Sequence, residues 1–128
     1  MDLFTETIIG HIMHPRNVGK LPDADSEGMG GEPGCGDWLM IYIKVRDGII
    51  SDISFLVHGC VAAIATSSVT TELAKGKSLD DAYQITEEDI ITALGGLPEY
   101  KLHCSVLGTT ALREAIDNYR HSDKQAIG

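Results

Sequence analysis

Three thiols, one carboxylate and one imidazole are the groups in this chain of 128 residues with the chemistry to hold a borderline-soft metal ion. Cys35 lies in Gly34-Cys35-Gly36-Asp37. The flanking glycines leave its sulfur without steric cover, and Asp37 offers a carboxylate oxygen to the same ion. Cys60 stands in His58-Gly59-Cys60, where an extended pattern gives way to a helical one. A thiol at a helix N-terminus feels the positive end of the dipole, which favours thiolate, the form that binds metal or attacks sulfur. Cys104 follows His103 and also opens a helical pattern, with Lys101 as a nearby cation that would stabilise thiolate further. No Cys-x-x-Cys pair occurs, which excludes a locally built zinc ribbon. A lone cysteine reads more readily as a small buried hydrophobe, and His58 on a strand end as a packed or solvated side chain. What argues for a site is the conjunction of three thiols at three element boundaries, two of them beside an oxygen or nitrogen ligand.

Such a site forms only if those boundaries meet at one end of a sheet. Leu39, Ile41, Ile43 and Val45 alternate with Met40, Tyr42, Lys44 and Arg46, which is strand period, and Ile49, Ile53, Phe55 and Val57 continue it in a second strand. Cys35 precedes this hairpin and Cys60 follows it, so antiparallel pairing brings them to one end. A two-residue turn at Asp47-Gly48 would set Asp52 opposite Ile43 on the apolar face. A three-residue loop, Arg46-Asp47-Gly48, is therefore expected, pairing Ile41 with Ile53 and Leu39 with Phe55, with Gly48 in the left-handed slot.

The remaining pattern is mostly helical. Phe4, Ile8, Ile9, Ile12 and Met13 mark a helix over 3–13, which Pro15 ends. The glycines between 28 and 36 predict loop or short irregular strand whose backbone comes close to something. From Val61 to Lys75 small residues predict a helix closely packed on the sheet, ended at Gly76. Ser78 with Asp81 and Thr86 with Asp89 look like N-caps of two short helices. A last helix over about 105–120 carries Ala111, Leu112, Ala115, Ile116 and Tyr119 on one stripe. The expected fold is α+β, a small antiparallel sheet of about three strands packed against several helices, in one domain over 1–128.

A formal net charge of −9 repels phosphate backbones, so nucleic acid is excluded as a first partner. No apolar run approaches the roughly 20 residues that span a bilayer, and the start carries no basic secretory segment. With an odd cysteine count this predicts a cytoplasmic protein without a disulfide framework. Gly76-Lys77-Ser78 ends like a Walker A loop, but Thr71 replaces its first glycine. Gly28-Met29-Gly30 opens like a dinucleotide fingerprint, but Pro33 breaks it.

Taken together, His14-Pro15-Arg16-Asn17-Val18-Gly19, Cys35-Gly36-Asp37, His58-Gly59-Cys60, Ala63-Ile64-Ala65 with Ser67-Ser68, Lys75-Gly76-Lys77-Ser78-Leu79 and Lys101-Leu102-His103-Cys104-Ser105 resemble the iron–sulfur cluster assembly scaffolds of the IscU type, which also form the N-terminal domain of NifU. The resemblance runs from about Leu3 to Tyr119. It implies a non-enzymatic scaffold that assembles a transient [2Fe–2S] cluster and passes it to acceptor apoproteins. Sulfur would come as a persulfide from a cysteine desulfurase and electrons from a ferredoxin, with a frataxin-like protein tuning the rate. By position, Cys35, Cys60 and Cys104 would be thiolate ligands of iron, with Asp37 and His103 as exchangeable ligands. Asp37 would keep the cluster labile, Cys104 would be the persulfide acceptor, with Cys35 the family's other candidate for that role, and zinc would occupy the same ligands. A homodimer is compatible with the family. The alternative is a zinc-dependent, sulfur-accepting activator of a desulfurase. Many members carry Leu-Pro-Pro-Val-Lys for an Hsp70-type chaperone; Leu97-Pro98-Glu99-Tyr100-Lys101 differs at two positions, which counts against chaperone-driven release. Val61 and His58 replace a frequent glycine and tyrosine. The step of 44 residues from Cys60 to Cys104, with His103 present, favours the IscU branch over the SufU branch.

Overall fold

The computed structural model describes residues 5–31, 36–98 and 103–127, and of His103 and residues 122–127 the backbone only. Chain order is α1 (Glu6–Met13), β1 (Ser26–Gly31), β2 (Trp38–Arg46), β3 (Ile49–His58), α2 (Val61–Ala74), α3 (Leu79–Tyr83), α4 (Glu87–Ala93) and α5 (His103–Ile127). The strands form one antiparallel sheet in the order β1-β2-β3. Helices α2 and α5 lie against it, α1 and α4 pack on α2, and α3 and α4 on α5. The fold is the α+β arrangement expected.

The core explains the layering. Leu39, Ile41, Ile43, Ile50, Ile53 and Phe55 are sealed against Ala65, Val69, Leu112, Ala115 and Ile116 of the two helices. Each leucine, isoleucine, valine or phenylalanine among them contributes roughly 1.5–3 kcal/mol on full burial. Helix α2 sits so close that its hydroxyls are buried too. They bond back to its own carbonyls: Ser67 Oγ donates to Ala63 O at 2.6 Å and Thr70 Oγ1 to Thr66 O at 2.6 Å. On β1 the glycines serve contact: a Cβ at Gly28 would overlap the backbone of Ala115 and Ala111, so strand and helix meet main chain to main chain.

The hairpin corrects the expected register. Asp47 (φ 55°) and Gly48 (φ 75°) make a two-residue turn of the kind whose twist suits paired strands, with Arg46 opposite Ile49. The ladder then shifts between Lys44 and Val45, and Ser51 is the extra residue of a β-bulge. Ile41 therefore faces Phe55 and Ile43 faces Ile53, while Asp52 pairs with Lys44 on the other face. The bulge turns Ile50 inward and leaves Ile49 exposed, the reverse of the simple alternation. Tyr42, on the polar side of that alternation, is also buried. Desolvation, and secondarily the charge of Glu27, pushes its phenol pKa up.

Helix boundaries follow the sequence signals. Thr5 caps α1, Ser78 caps α3 through the Asp81 amide, and Thr86 with Asp89 forms a reciprocal capping box on α4. The stretch after α1 does more than connect. Gly19 N donates to Phe55 O at 2.8 Å and Phe55 N to Asn17 O at 2.9 Å, so this segment covers the outer edge of β3.

Candidate metal centre

The sheet end where β2 begins and β3 finishes builds the site. Trp38 pairs with His58 as the last rung of the ladder, which places Asp37 beside Gly59 and Cys60. The two rings stack, with centroids 6.2 Å apart and planes 15° from parallel. Cys60 is the N-cap of α2 in an extended conformation, and its side chain makes no capping bond. Its carbonyl accepts from Ala63 N at 3.0 Å and Ile64 N at 3.2 Å, which starts the helix and leaves the sulfur at the positive end.

Cys104 lies in the first turn of α5, completely buried with Ala62 and Ala63 against Val57, Cys60 and Leu107. Its Sγ is 4.0 Å from Cys60 Sγ. A carboxylate oxygen of Asp37 joins them, and the three donor atoms all lie within 4.8 Å of one another. For tetrahedral zinc with Zn–S near 2.3 Å, two sulfurs stand about 3.8 Å apart, so this pair already has the spacing of common ligands. Thr66 ties the two helices here: its Oγ1 lies 3.1 Å from Ala63 O and 3.3 Å from Cys104 O.

Of the six residues singled out by sequence, Asp37, Cys60 and Cys104 are brought together. His103 opens α5 next to Cys104, but its side chain, like Cys35 and Lys101, lies outside the described residues. The expectation of an accessible site fits Asp37 and Cys60, which are half-buried; the Cys104 sulfur is sealed beneath them. His58 is exposed, packs on Trp38 and is not part of the ligand group among the described residues. Nothing in the sequence marks Thr66 for this tie. Cross-helix contacts of this kind leave no periodic signal.

The thiol end is distinct from the groove of about 550 Å³ near the far end of α2, lined by residues including Leu73, Lys77, Asp81, Ile85 and Glu88. At about 1.5 Å per residue, Leu73 lies some 20 Å along the helix from Cys60. An ion needs convergent donor atoms, not volume, and that lining contains neither thiol nor imidazole. Among the described residues no helix is long and apolar enough to cross a membrane.

Comparison with known proteins agrees with the geometry. The family described as NifU-like N terminal domain matches residues 3–126. The iron–sulfur cluster assembly scaffold protein IscU 1 of Archaeoglobus fulgidus is 52% identical over 117 residues, covering 91% of this chain and 76% of that protein. The IscU scaffold protein of Escherichia coli K12 is 46% identical over 121 residues, covering 91% and 94%. In three dimensions the N-terminal part of a NifU-like protein from Brucella abortus superposes with a TM-score of 0.73 at 20% identity, covering 93% of this chain and 95% of that one. A SUF-system scaffold from Fervidobacterium islandicum gives 0.70 at 22%, covering 89% and 96%. At those identities the two structures speak for the fold alone. Sequence and fold together place this chain in the IscU/NifU N-terminal domain family.

Proposed function

We propose that the chain is a scaffold on which an iron–sulfur cluster, [2Fe–2S] as is usual for the family, is assembled and from which it passes to acceptor proteins. The observation that carries this reading is the convergence of Asp37 with Cys60 and Cys104 at the mouth of a rigid sheet end. Cluster iron favours thiolate; a hard carboxylate oxygen in the same set weakens the attachment, as a donor requires. Cys35 and His103 would complete the ligands, Asp37 would keep the cargo exchangeable, and Lys101 would hold thiolate at Cys104. Cys104 would accept sulfur by attacking the terminal atom of a desulfurase persulfide, with the desulfurase thiolate leaving. Because its sulfur is fully buried, that step requires the packing of the first turn of α5 to open. A ferredoxin, a frataxin-like protein and the cytoplasm are the expected partners and setting. The A. fulgidus and E. coli relatives, both named as scaffold proteins, support the reading.

The test is anaerobic reconstitution with ferrous iron, cysteine and a cysteine desulfurase. The expected result is visible sulfide-to-iron charge-transfer absorption with matching iron and sulfide counts. A colourless protein that gains sulfur by intact mass would instead make it a zinc-dependent desulfurase activator, whose ligands this same sulfur–oxygen set would supply. A protein gaining neither would defeat both readings.

A further inference from the structure

Gly59 separates the last rung of the sheet from Cys60, the N-cap residue of α2, and nothing in its backbone requires glycine. Its φ lies outside the left-handed range in which a side chain is strained. What a side chain would meet is the site itself. A Cβ at this position would stand 2.8 Å from Asp37 Cγ, 3.0 Å from Asp37 Oδ2 and 3.0 Å from Ala63 Cβ. Carbon atoms in good contact stay about 3.5–4.0 Å apart, so something must yield. Asp37 directly precedes Trp38, whose place is fixed by pairing and ring stacking with His58, so the Asp37 backbone stays. Its carboxylate is the end of a flexible side chain and would swing away. A swing of about an ångström is enough to break ligation at distances near 2 Å.

We infer that Gly59 is a positioning residue, the place where a missing Cβ leaves a seat for the Asp37 carboxylate beside Cys60 and Cys104. This rests on the reading of those three side chains as metal ligands. A larger residue here would leave every ligand present and still dismantle the set.

Zinc affinity tests it, measured by chelator competition on the intact chain. The proteins compared are the parent, Gly59→Ala, Asp37→Ala and the double variant, with Trp38, the sole tryptophan, as a fluorescent monitor of the site. Gly59→Ala is expected to weaken zinc by about 10- to 100-fold, the range seen when support for a ligand is lost, with an unchanged melting temperature in the absence of metal. Added to Asp37→Ala, it is expected to do nothing further, because there is no carboxylate left to displace. Equal losses in both backgrounds, or no loss in either, would overturn the inference. So would recovery of affinity in Gly59→Ala/Ala63→Gly, which relieves only the contact with α2. A parent that takes no zinc would fail the metal reading itself, and an Asp37→Ala variant that binds as the parent does would remove Asp37, and with it the role of Gly59.

Discussion

His11, Ser68 and Glu72 form a chain of hydrogen bonds along one flank of α2, whereas Asp37, Cys60 and Cys104 gather at that helix's N-terminus. Both groups gather titratable side chains, and they differ in what the rest of the chain does with them. In the first, roles are complementary. His11 Nε2 faces Glu72 Oε1 at 3.1 Å, and Nδ1 lies 2.7 Å from Ser68 Oγ. That oxygen accepts from Arg16 N at 2.8 Å, and Asn17 Nδ2 donates to Thr71 Oγ1 at 3.1 Å one turn on. A neutral imidazole with its proton on Nε2 satisfies every partner. In the second group two thiols lie 4.0 Å apart with a carboxylate oxygen within 4.8 Å of both, and among the described residues Asp37 is in no ion pair. The first set is complete in its own hydrogen bonds; the second gathers atoms that the proposed function would use to hold a cation.

The sharpest way to break this contrast is to supply that cation. With zinc at about a hundred times its dissociation constant, the parent should gain about 2.7 kcal/mol, or about 10 °C in melting temperature. Cys60→Ala should lose that gain while its metal-free stability stays within about 1 kcal/mol of the parent's, because Cys60 is only half-buried. Scanning calorimetry with and without zinc decides it. A metal-free Cys60→Ala variant that melts far below the parent would mean the thiols hold the fold.

Ser68→Ala is the converse. It strips a partner from buried His11 Nδ1 and from the Arg16 amide at once, at a cost of about 2 kcal/mol, or roughly 7 °C. Zinc affinity should remain within about twofold, since the change lies two turns from Cys60. If zinc binding fell as well, the two clusters would be one cooperative unit.

Much of the thiol end was legible because strand and helix boundaries carry periodic signals. The alternation ending at His58 and the small-residue run from Val61 place Cys60 at a junction, and the hairpin places Asp37 opposite it. Register was not legible. Alternation alone demands that Asp52 stay off the apolar face, and the chain meets that demand with a bulge at Ser51 while taking the two-residue turn its twist prefers. Glycine density between 28 and 36 signalled a close approach without saying that Gly28 and Gly30 meet α5. The His11 cluster was invisible for a similar reason: its partners are more than fifty residues away in sequence.

The smallest expected effect is a dependence on pH confined to the His11 side. Burial holds the His11 pKa below 6.5, the Arg16 charge lowers it further, and Glu72 only partly opposes them despite its contact. The unfolded chain therefore takes up a proton first. The contribution of neutral His11 is complete above about pH 6.5 and is lost as pH falls from there toward the depressed folded value. Protonation also puts a hydrogen on Nδ1, where Ser68 Oγ must turn from donor to acceptor while still receiving the Arg16 amide. Asp23, held low chiefly by its bond to Lys44, acts in a separate window below 3.8. The melting-temperature gap between the parent and His11→Gln should thus be widest near pH 8 and shrink by pH 5.5. A gap that stays constant across that range would show that the imidazole takes up its proton alike in the folded and unfolded chains, and that this flank of α2 is held by packing alone.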